Sequence, residues 1–175
     1  MAESLAVPAP TTPAAAEKLR SRMLNPLLLR GFMLAKLPLA LGAGLRVREL
    51  GPERCVVTVP YGWRTRNPFR STYFAALSMA AEMSTGGPAM MAVELAASPV
   101  AMLIVNLEGT FGKKATGLTA FTCEDAGKAF AAVAETLRTG EPATARMESV
   151  GRTKDGAEVA RFVFTWSFKR RSRPV

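Results

Sequence analysis

An isolated acidic residue is the first feature of this sequence with chemical meaning. Residues 71–93 contain one charged side chain, Glu82, where the chain-wide charged fraction of 21% predicts about five. None of its neighbours at helical spacing is basic. A carboxylate among Ala, Met, Leu and Phe side chains is desolvated, which raises its pKa and makes it a candidate catalytic group. The alternative is a structural role, in which Glu82 points outward or pairs with Arg46 or Arg48.

The residues just before this stretch could supply a site for a developing negative charge. Asn67 lies in an approach loop, and Ser71 or Thr72 is placed to cap a helix that starts beside Tyr73 and Phe74. The free N–H groups of a helix N-terminus stabilise an oxyanion or polarise a carbonyl. Every helix has such an end, so the pattern gains weight only together with the acid.

The spacing of these groups predicts a second chain. Phe74 and Glu82 are eight residues apart, or about 12 Å along a helix at 1.5 Å per residue. One carbonyl group cannot contact both in the same chain. If both act, they come from two copies, which predicts a homodimer or tetramer with a shared site.

Composition excludes several kinds of catalysis. The 175 residues contain no histidine, so histidine bases, Ser-His-Asp triads and His-bearing zinc sites are absent. The two cysteines, Cys55 and Cys123, have no metal-ligand spacing and cannot form a disulfide framework, which favours a reduced, cytoplasmic setting. No metal and no resident cofactor are expected. The net charge of +9 favours anionic partners, among them phosphorylated ligands, but does not select one.

The first 40 residues predict neither a signal peptide nor a membrane span. Residues 1–15 hold three prolines and no basic residue, so we expect a disordered leader. The apolar stretch 24–41 is interrupted by Asn, Arg, Lys and two Pro residues. It is interpreted as part of a helical segment, 16–37, that packs on the domain or on a partner. Peripheral membrane contact is the less favoured interpretation.

The remaining elements predict one α+β domain over residues 16–170, followed by a basic tail, 171–175. Two short strands flank a turn at 51–52, a long apolar helix covers 72–86, and a Gly-Gly-Pro break at 86–88 starts a second short helix. Segments 101–111 and 116–123 are interpreted as a strand pair, and a helix follows at 126–138. Strands at 143–152 and 157–169 meet at Asp155-Gly156. Short turns favour an antiparallel sheet that packs on the long helix.

Around the start of the long helix, the sequence resembles the acyl-CoA thioesterase branch of the hot-dog-fold thioesterase superfamily. Members carry a loop asparagine, a glycine three residues later, His-Gly-Gly opening the central helix, and an acid fifteen residues after the asparagine. Asn67 and Glu82 occupy the first and last of these positions. Arg70 stands at the glycine, Tyr73 at the histidine, and Phe74 with Ala75 at the two glycines.

The downstream sequence extends the resemblance over about residues 40–170. Residues 109–117 (GTFGKKATG) look like the family's strand pair, and residues 164–169 (FTWSFK) with the inserted helix resemble a relative catalogued as a domain of unknown function. The resemblance implies a hot-dog fold, in which a curved antiparallel sheet of about six strands wraps around one long central helix. The N-terminal and inserted helices are additions to it.

The resemblance also implies hydrolysis of an acyl thioester such as an acyl-CoA. Glu82 would activate water or attack the carbonyl directly, and the N–H of Phe74 would polarise the carbonyl. Asn67 would orient water or only hold its loop. Tyr73 would donate a hydrogen bond, although packing at a dimer interface is the more favoured role. The absence of histidine disfavours the dehydratases and hydratases of the same superfamily.

Candidate substrate-binding residues are Lys113, Lys114 and Met79. The two lysines could contact coenzyme A phosphates, but a solvated turn is the commoner role of such a pair. A non-catalytic acyl- or lipid-binding protein on the same fold is the alternative function, because the altered residues at 70 and 73–75 favour it. Nucleic acid is not an expected partner, since the basic tail lacks interleaved aromatic residues.

Overall fold

The structure, a computed structural model, describes residues 14–171 and contains five helices and six strands in that range. The expected leader and basic tail lie mostly outside the described residues. In chain order the elements are α1 (Ala14–Leu24), α2 (Pro26–Lys36), α3 (Pro38–Ala43), β1 (Arg46–Leu50), β2 (Cys55–Val59), α4 (Phe74–Glu94), β3 (Val100–Phe111), β4 (Thr119–Cys123), α5 (Ala126–Thr139), β5 (Ala143–Thr153) and β6 (Glu158–Arg170).

All six strands form one antiparallel sheet in the order β1-β2-β4-β5-β6-β3. The predicted pairings of β1 with β2 and of β5 with β6 are confirmed, the latter with Gly156 in the left-handed region (φ 84°) of its turn. The predicted pairing of segments 101–111 and 116–123 is wrong. β3 pairs with β6 at one edge of the sheet, while β4 lies between β2 and β5. Residues 112–118 are therefore a crossover rather than a hairpin turn.

The core lies between the inner face of the sheet and α4. The alternation expected for β6 is confirmed, since its aromatic residues Phe162, Phe164, Trp166 and Phe168 are buried. α4 packs on strands β2, β4, β5 and β6 and also contacts α5. Burial of these apolar faces supplies most of the driving force that places α4 across the sheet.

The central helix is longer than the sequence predicts. The expected break at 86–88 is absent, and α4 runs without interruption over 21 residues through Pro88. Proline removes one backbone N–H from the helix ladder, but residues 83–89 are buried on all sides. Tertiary packing therefore compensates for a local sequence signal that would end an isolated helix.

The segment predicted as one helix at 16–37 is two helices separated at Asn25. The Asn25 side chain accepts hydrogen bonds from the N–H groups of Leu27 and Leu28, at 2.9 and 3.2 Å, and Pro26 takes the first position of α2. This capping motif ends α1 and restarts the chain in a new direction. Within residues 14–171, every helix is too short or too polar to span a bilayer.

Candidate functional site

Glu82 lies near the middle of α4, on a stripe of this helix that residues 14–171 leave partly uncovered. Ala75, Ser78, Met79 and Glu82, spaced at three and four residues, are partly exposed, whereas the residues between them are mostly buried. This spacing defines one helix face. Met79, a predicted substrate-binding residue, therefore borders Glu82 on the side of the helix N-terminus.

The carboxylate of Glu82 has no bonding partner within residues 14–171. Burial raises its pKa above the ordinary value, and no neighbouring charge contributes to the shift. The alternative ion pair with Arg46 or Arg48 does not form, because both arginines lie on β1, where Arg48 instead donates to Thr58 Oγ1 at 3.2 Å. A desolvated acid without a cation is costly to the fold, so its placement calls for a functional reason.

Two residues that the sequence analysis missed shape the surroundings of Glu82. A Cβ added at Gly86 would lie 3.3 Å from Glu82 Oε1 and 3.2 Å from Trp166 Cζ2, so the carboxylate and the indole both border this glycine. Trp166 Nε1 donates to Thr85 Oγ1 at 3.0 Å, and Thr85 Oγ1 donates to the backbone carbonyl of Glu82 at 3.0 Å. The i to i+4 spacing of Glu82 and Gly86 was the available signal.

The N-terminus of α4 is uncapped. The predicted caps Ser71 and Thr72 are wrong, because Ser71 bonds Asn67 and Thr72 Oγ1 donates to the carbonyl of Ala115 at 3.0 Å. The N–H groups of Phe74 and Ala75 have no acceptor among the described residues. These two donors point out of the helix start, where they can hold a carbonyl oxygen.

Asn67 organises the loop that leads into α4. Its Oδ1 accepts from the N–H groups of Phe69 and Ser71 at 3.0 and 3.1 Å, and its Nδ2 lies 3.1 Å from Ser71 Oγ. Arg70, at the position of the family glycine, has φ 58°, so the loop keeps a left-handed backbone there. In this state Asn67 acts as a loop cap, the structural role left open by the sequence.

An aromatic cluster covers the side of the helix N-terminus. The rings of Tyr73 and Phe74 lie 4.9 Å apart, and the Phe74 ring lies 6.5 Å from that of Phe111 on β3. Tyr73 and Phe74 remain about half exposed. Bulky aromatic side chains therefore lie beside the free N–H groups. The thioesterases that the sequence resembles carry histidine and glycine at these positions.

The two lysines lie near this region but not beside Glu82. Lys114 Nζ donates to the carbonyl of Phe69 at 3.3 Å, which ties the crossover to the approach loop. Lys113 and Lys114 line a cavity of about 600 Å³ together with Lys154 and one acid, Asp155, so its net charge is positive. The positive charge of this cavity suits a phosphate group. Nothing within residues 14–171 gathers three or more Cys, Asp or Glu side chains into a metal site.

The structure places Phe74 and Glu82 on the same helix, as the spacing argument required. Phe74 is the first residue of α4, and Glu82 follows two turns later. Asn67, Tyr73 and Phe74 gather at the helix start, whereas Glu82 and Met79 lie farther along the same open stripe. Within one chain the start of α4 and Glu82 lie about 12 Å apart along the helix.

A family model covers most of this chain. The model described as "Domain of unknown function (DUF4442)" matches residues 27–168. The chain belongs to the DUF4442 family. The expected relation to a domain of unknown function is thereby confirmed. Among curated proteins, none matches the sequence.

Solved structures share the architecture at low identity. PA5026 from Pseudomonas aeruginosa, described as a protein of unknown function and probable thioesterase, is 19% identical, with 86% of this chain and 99% of that chain covered and a TM-score of 0.69. The thioesterase HI1161 from Haemophilus influenzae is 11% identical, with 87% and 95% covered and a TM-score of 0.62. The E. coli PaaI protein is 13% identical, with 91% and 97% covered and a TM-score of 0.60. These likenesses confirm the hot-dog fold of this DUF4442 member.

Proposed function

We propose that this protein hydrolyses acyl thioesters, with Glu82 as the catalytic carboxylate. The observation that carries the proposal is that Glu82, a desolvated acid on the open stripe of α4, has no cation beside it within residues 14–171, because such an acid has no stabilising role in the fold. The uncapped N–H groups at the start of α4 supply the complementary half of the reaction. The thioesterase description of the structural neighbours agrees with this chemistry.

The reaction needs one base and one oxyanion site. Glu82 takes a proton from water, the oxygen attacks the thioester carbon, and the carbonyl oxygen becomes an oxyanion held by the N–H of Phe74. When the carbon–sulfur bond breaks, the thiolate takes the proton back from Glu82. Direct attack by the carboxylate, with a mixed anhydride hydrolysed in a second step, uses the same groups.

The two halves of the proposed site require two chains. The edge strand β3 exposes Leu103, Val105 and Leu107, and its outer backbone groups are free to pair. Antiparallel pairing of two β3 strands about a twofold axis would continue the sheet and bring these side chains beside those of the partner strand. We propose a homodimer, alone or within a tetramer, in which each active site combines Glu82 of one chain with the Phe74 N–H of its partner.

The remaining candidates take supporting roles in this proposal. Asn67 fixes the loop before α4, and Tyr73 lies where it can donate a hydrogen bond or pack against the partner chain. Met79 lines the path of the acyl chain beside Glu82. Lys113 and Lys114 would contact the phosphates of coenzyme A, which is part of the substrate and not a bound cofactor. A cytoplasmic setting, where acyl-CoA occurs, remains our prediction.

A second function is favoured by one observation. The Tyr73–Phe74–Phe111 cluster stands at the helix start, where it narrows access to the oxyanion donors. A site closed in this way would bind an acyl group without hydrolysing it. The candidate is then a non-catalytic acyl- or lipid-binding protein.

Thiol release from a panel of acyl-CoAs separates the two functions. We expect the wild type to hydrolyse some chain length and Glu82→Gln to lose about 10²–10⁴-fold in kcat, because the general base is removed. Glu94→Gln is the matched control, since Glu94 is an exposed acid at the other end of the same helix. It should keep full activity.

Binding is measured in parallel through intrinsic fluorescence in a Trp63→Phe background, where the signal comes from Trp166, which lies beside Gly86 and Glu82. Retained acyl-CoA binding by Glu82→Gln, without turnover, supports the catalytic role. A wild type that binds acyl-CoA but releases no thiol at high enzyme concentration contradicts the hydrolase and supports the binding protein. Equal turnover by wild type and Glu82→Gln removes Glu82 from the mechanism.

A further inference from the structure

The N-terminal helices carry a surface that the proposed hydrolase does not use. It combines exposed leucines of α2 and α3 with basic side chains of α2, of β1 and of the loop after β2. We call it the leucine–arginine face. Its members are Leu27, Leu28, Leu34, Leu37, Leu39, Arg30, Lys36, Arg46, Arg48 and Arg64.

The apolar part of this face is unusually exposed. Its five leucines fall within 13 consecutive residues, and their exposed fractions run from 40% at Leu37 to 79% at Leu39. α2 is anchored in the core through Leu29 and Met33, which are almost fully buried, and α3 through Ala40 and Ala43. The exposed leucines are therefore presented by a fixed pair of helices, and clustering of this kind marks an interaction surface.

The charged part of the face is of one sign. Residues 26–48, from the start of α2 to β1, contain four basic side chains and no acidic one. Arg30, Arg46, Arg48 and Arg64 line one open cavity of about 1130 Å³, and no residue lining this cavity is acidic. None of these four arginines pairs with a carboxylate in the described chain, whereas six other arginines of the described chain do.

We propose that the leucine–arginine face docks on the surface of a membrane rich in anionic phospholipid. Helices that lie in a membrane interface insert apolar side chains while neighbouring Arg and Lys side chains bind lipid headgroups. Leu34 lines the same cavity as the four arginines, so the two chemistries meet there. This inference stands apart from the hydrolase proposal, because it uses no residue of the Glu82 site.

Charge complementarity selects the membrane over a second copy of this chain. A twofold contact through this face would bring the same unpaired arginines together without an acid to neutralise them. The position of the face in the fold is compatible with membrane docking by a dimer, since β1 forms the edge of the sheet opposite to β3. A dimer that forms through β3 would leave the face free on each subunit.

Flotation with lipid vesicles tests the proposal. The full chain is mixed with vesicles of phosphatidylcholine alone and of phosphatidylcholine with phosphatidylglycerol. We expect flotation with the anionic vesicles only, weakened by salt. Each basic residue near an anionic surface contributes about fivefold to partitioning, so Arg30→Glu/Arg46→Glu should reduce it at least about tenfold. Leu27→Ser/Leu39→Ser should also reduce it, because the inserted side chains are lost.

Two control variants make the result specific. Arg170→Glu/Arg171→Glu changes the net charge by the same amount at exposed positions at the end of β6, and Phe69→Ser removes an exposed apolar side chain outside the face. Both should float like the wild type. The proposal is overturned if neither vesicle binds, if both vesicles bind equally, or if the controls lose as much binding as the face variants. Dissociation of an oligomer by the leucine variants would also overturn it, since a second copy then covers the face.

Discussion

At the scale of single residues, Glu82 links the candidate chemistry to stability. Its pKa is raised by burial above the ordinary value of 4.5, so the folded chain holds the proton to higher pH than the unfolded chain does. As the pH rises through about 4.5, the unfolded state loses this proton first, and the free energy of unfolding falls. The fall ends above the native pKa, where both states are ionised.

The substitution Glu82→Gln should remove this dependence. We expect the variant to be more stable than the wild type at neutral pH, and the difference to vanish below about pH 4.5, where Glu82 is neutral in both states. Urea unfolding at the two pH values measures it. Glu94→Gln, for an exposed acid, should match the wild type at both. A Glu82→Gln protein that is less stable at neutral pH would mean that the carboxylate has a stabilising partner.

Arg70 gives a second residue-scale prediction, based on backbone strain. With φ 58°, Arg70 occupies the left-handed region that favours glycine. Arg70→Gly should raise the free energy of unfolding by about 0.5–1 kcal/mol, because relief of strain exceeds the added entropy of the unfolded chain. Arg66→Gly, at an exposed position with ordinary backbone in the same loop, should destabilise. Chemical denaturation decides between them, and equal losses in both variants would show that the Arg70 side chain holds the loop.

Some candidate site residues could be identified from the sequence, and the roles of others could not. Glu82 stands out because charge is scarce around it, and a resemblance marks Asn67. The roles of Ser71 and Thr72 were out of reach, since their hydroxyls are taken by Asn67 and by the carbonyl of Ala115, 43 residues away. Such competition between partners is decided by tertiary structure.

At the scale of elements, the close packing of α4 against β6 depends on a glycine, Gly86, which has no side chain at the contact. Gly86 lets Glu82 and Trp166 approach the helix backbone. Gly86→Ala gains helix propensity, about 1 kcal/mol, but its Cβ meets both neighbours at 3.2–3.3 Å. The added methyl group should displace the carboxylate, so we expect the proposed hydrolysis to slow by about tenfold or more, with little net gain in stability.

The matched control for this change is Gly127→Ala on α5. There a Cβ has no neighbour within 4 Å, so the variant should gain about 0.5–1 kcal/mol of stability and keep its activity. Thermal unfolding and thiol release measure the two effects separately. If Gly86→Ala gains as much stability as Gly127→Ala and keeps full activity, the close contact around Gly86 does not affect the proposed reaction.

Elements were predictable where the signal is local. The β5–β6 hairpin follows from Asp155-Gly156, and the aromatic alternation of β6 identifies its buried face. The predicted pairing of β3 with β4 was wrong because strand propensity does not specify which strand lies beside which. In the structure, residues 112–118 cross over β5 and β6 to connect β3 to β4. The break expected at Pro88 failed because packing on both sides overrides a single missing N–H.

At the scale of the whole molecule, the two edges of the sheet have different characters. The β1 edge lies beside the leucine–arginine face, while the β3 edge exposes leucine and valine without a comparable excess of charge. The α+β class was predictable from the order of elements. The assignment of the edges was not, since it depends on the crossover that places β3 beyond β6.

The β3 edge carries the prediction on which the shared site depends. Leu103→Lys/Leu107→Lys places like charges on both copies of the exposed edge, so we expect the proposed dimer to dissociate. Because the partner's N–H donor is then lost, kcat/KM should fall by about 10²–10³-fold. Light scattering after gel filtration gives the mass, and thiol release gives the activity. Leu34→Lys/Leu39→Lys, at the opposite edge, should keep both. A wild type that is monomeric yet active, or a monomeric variant with full activity, would mean that one chain contains the complete site.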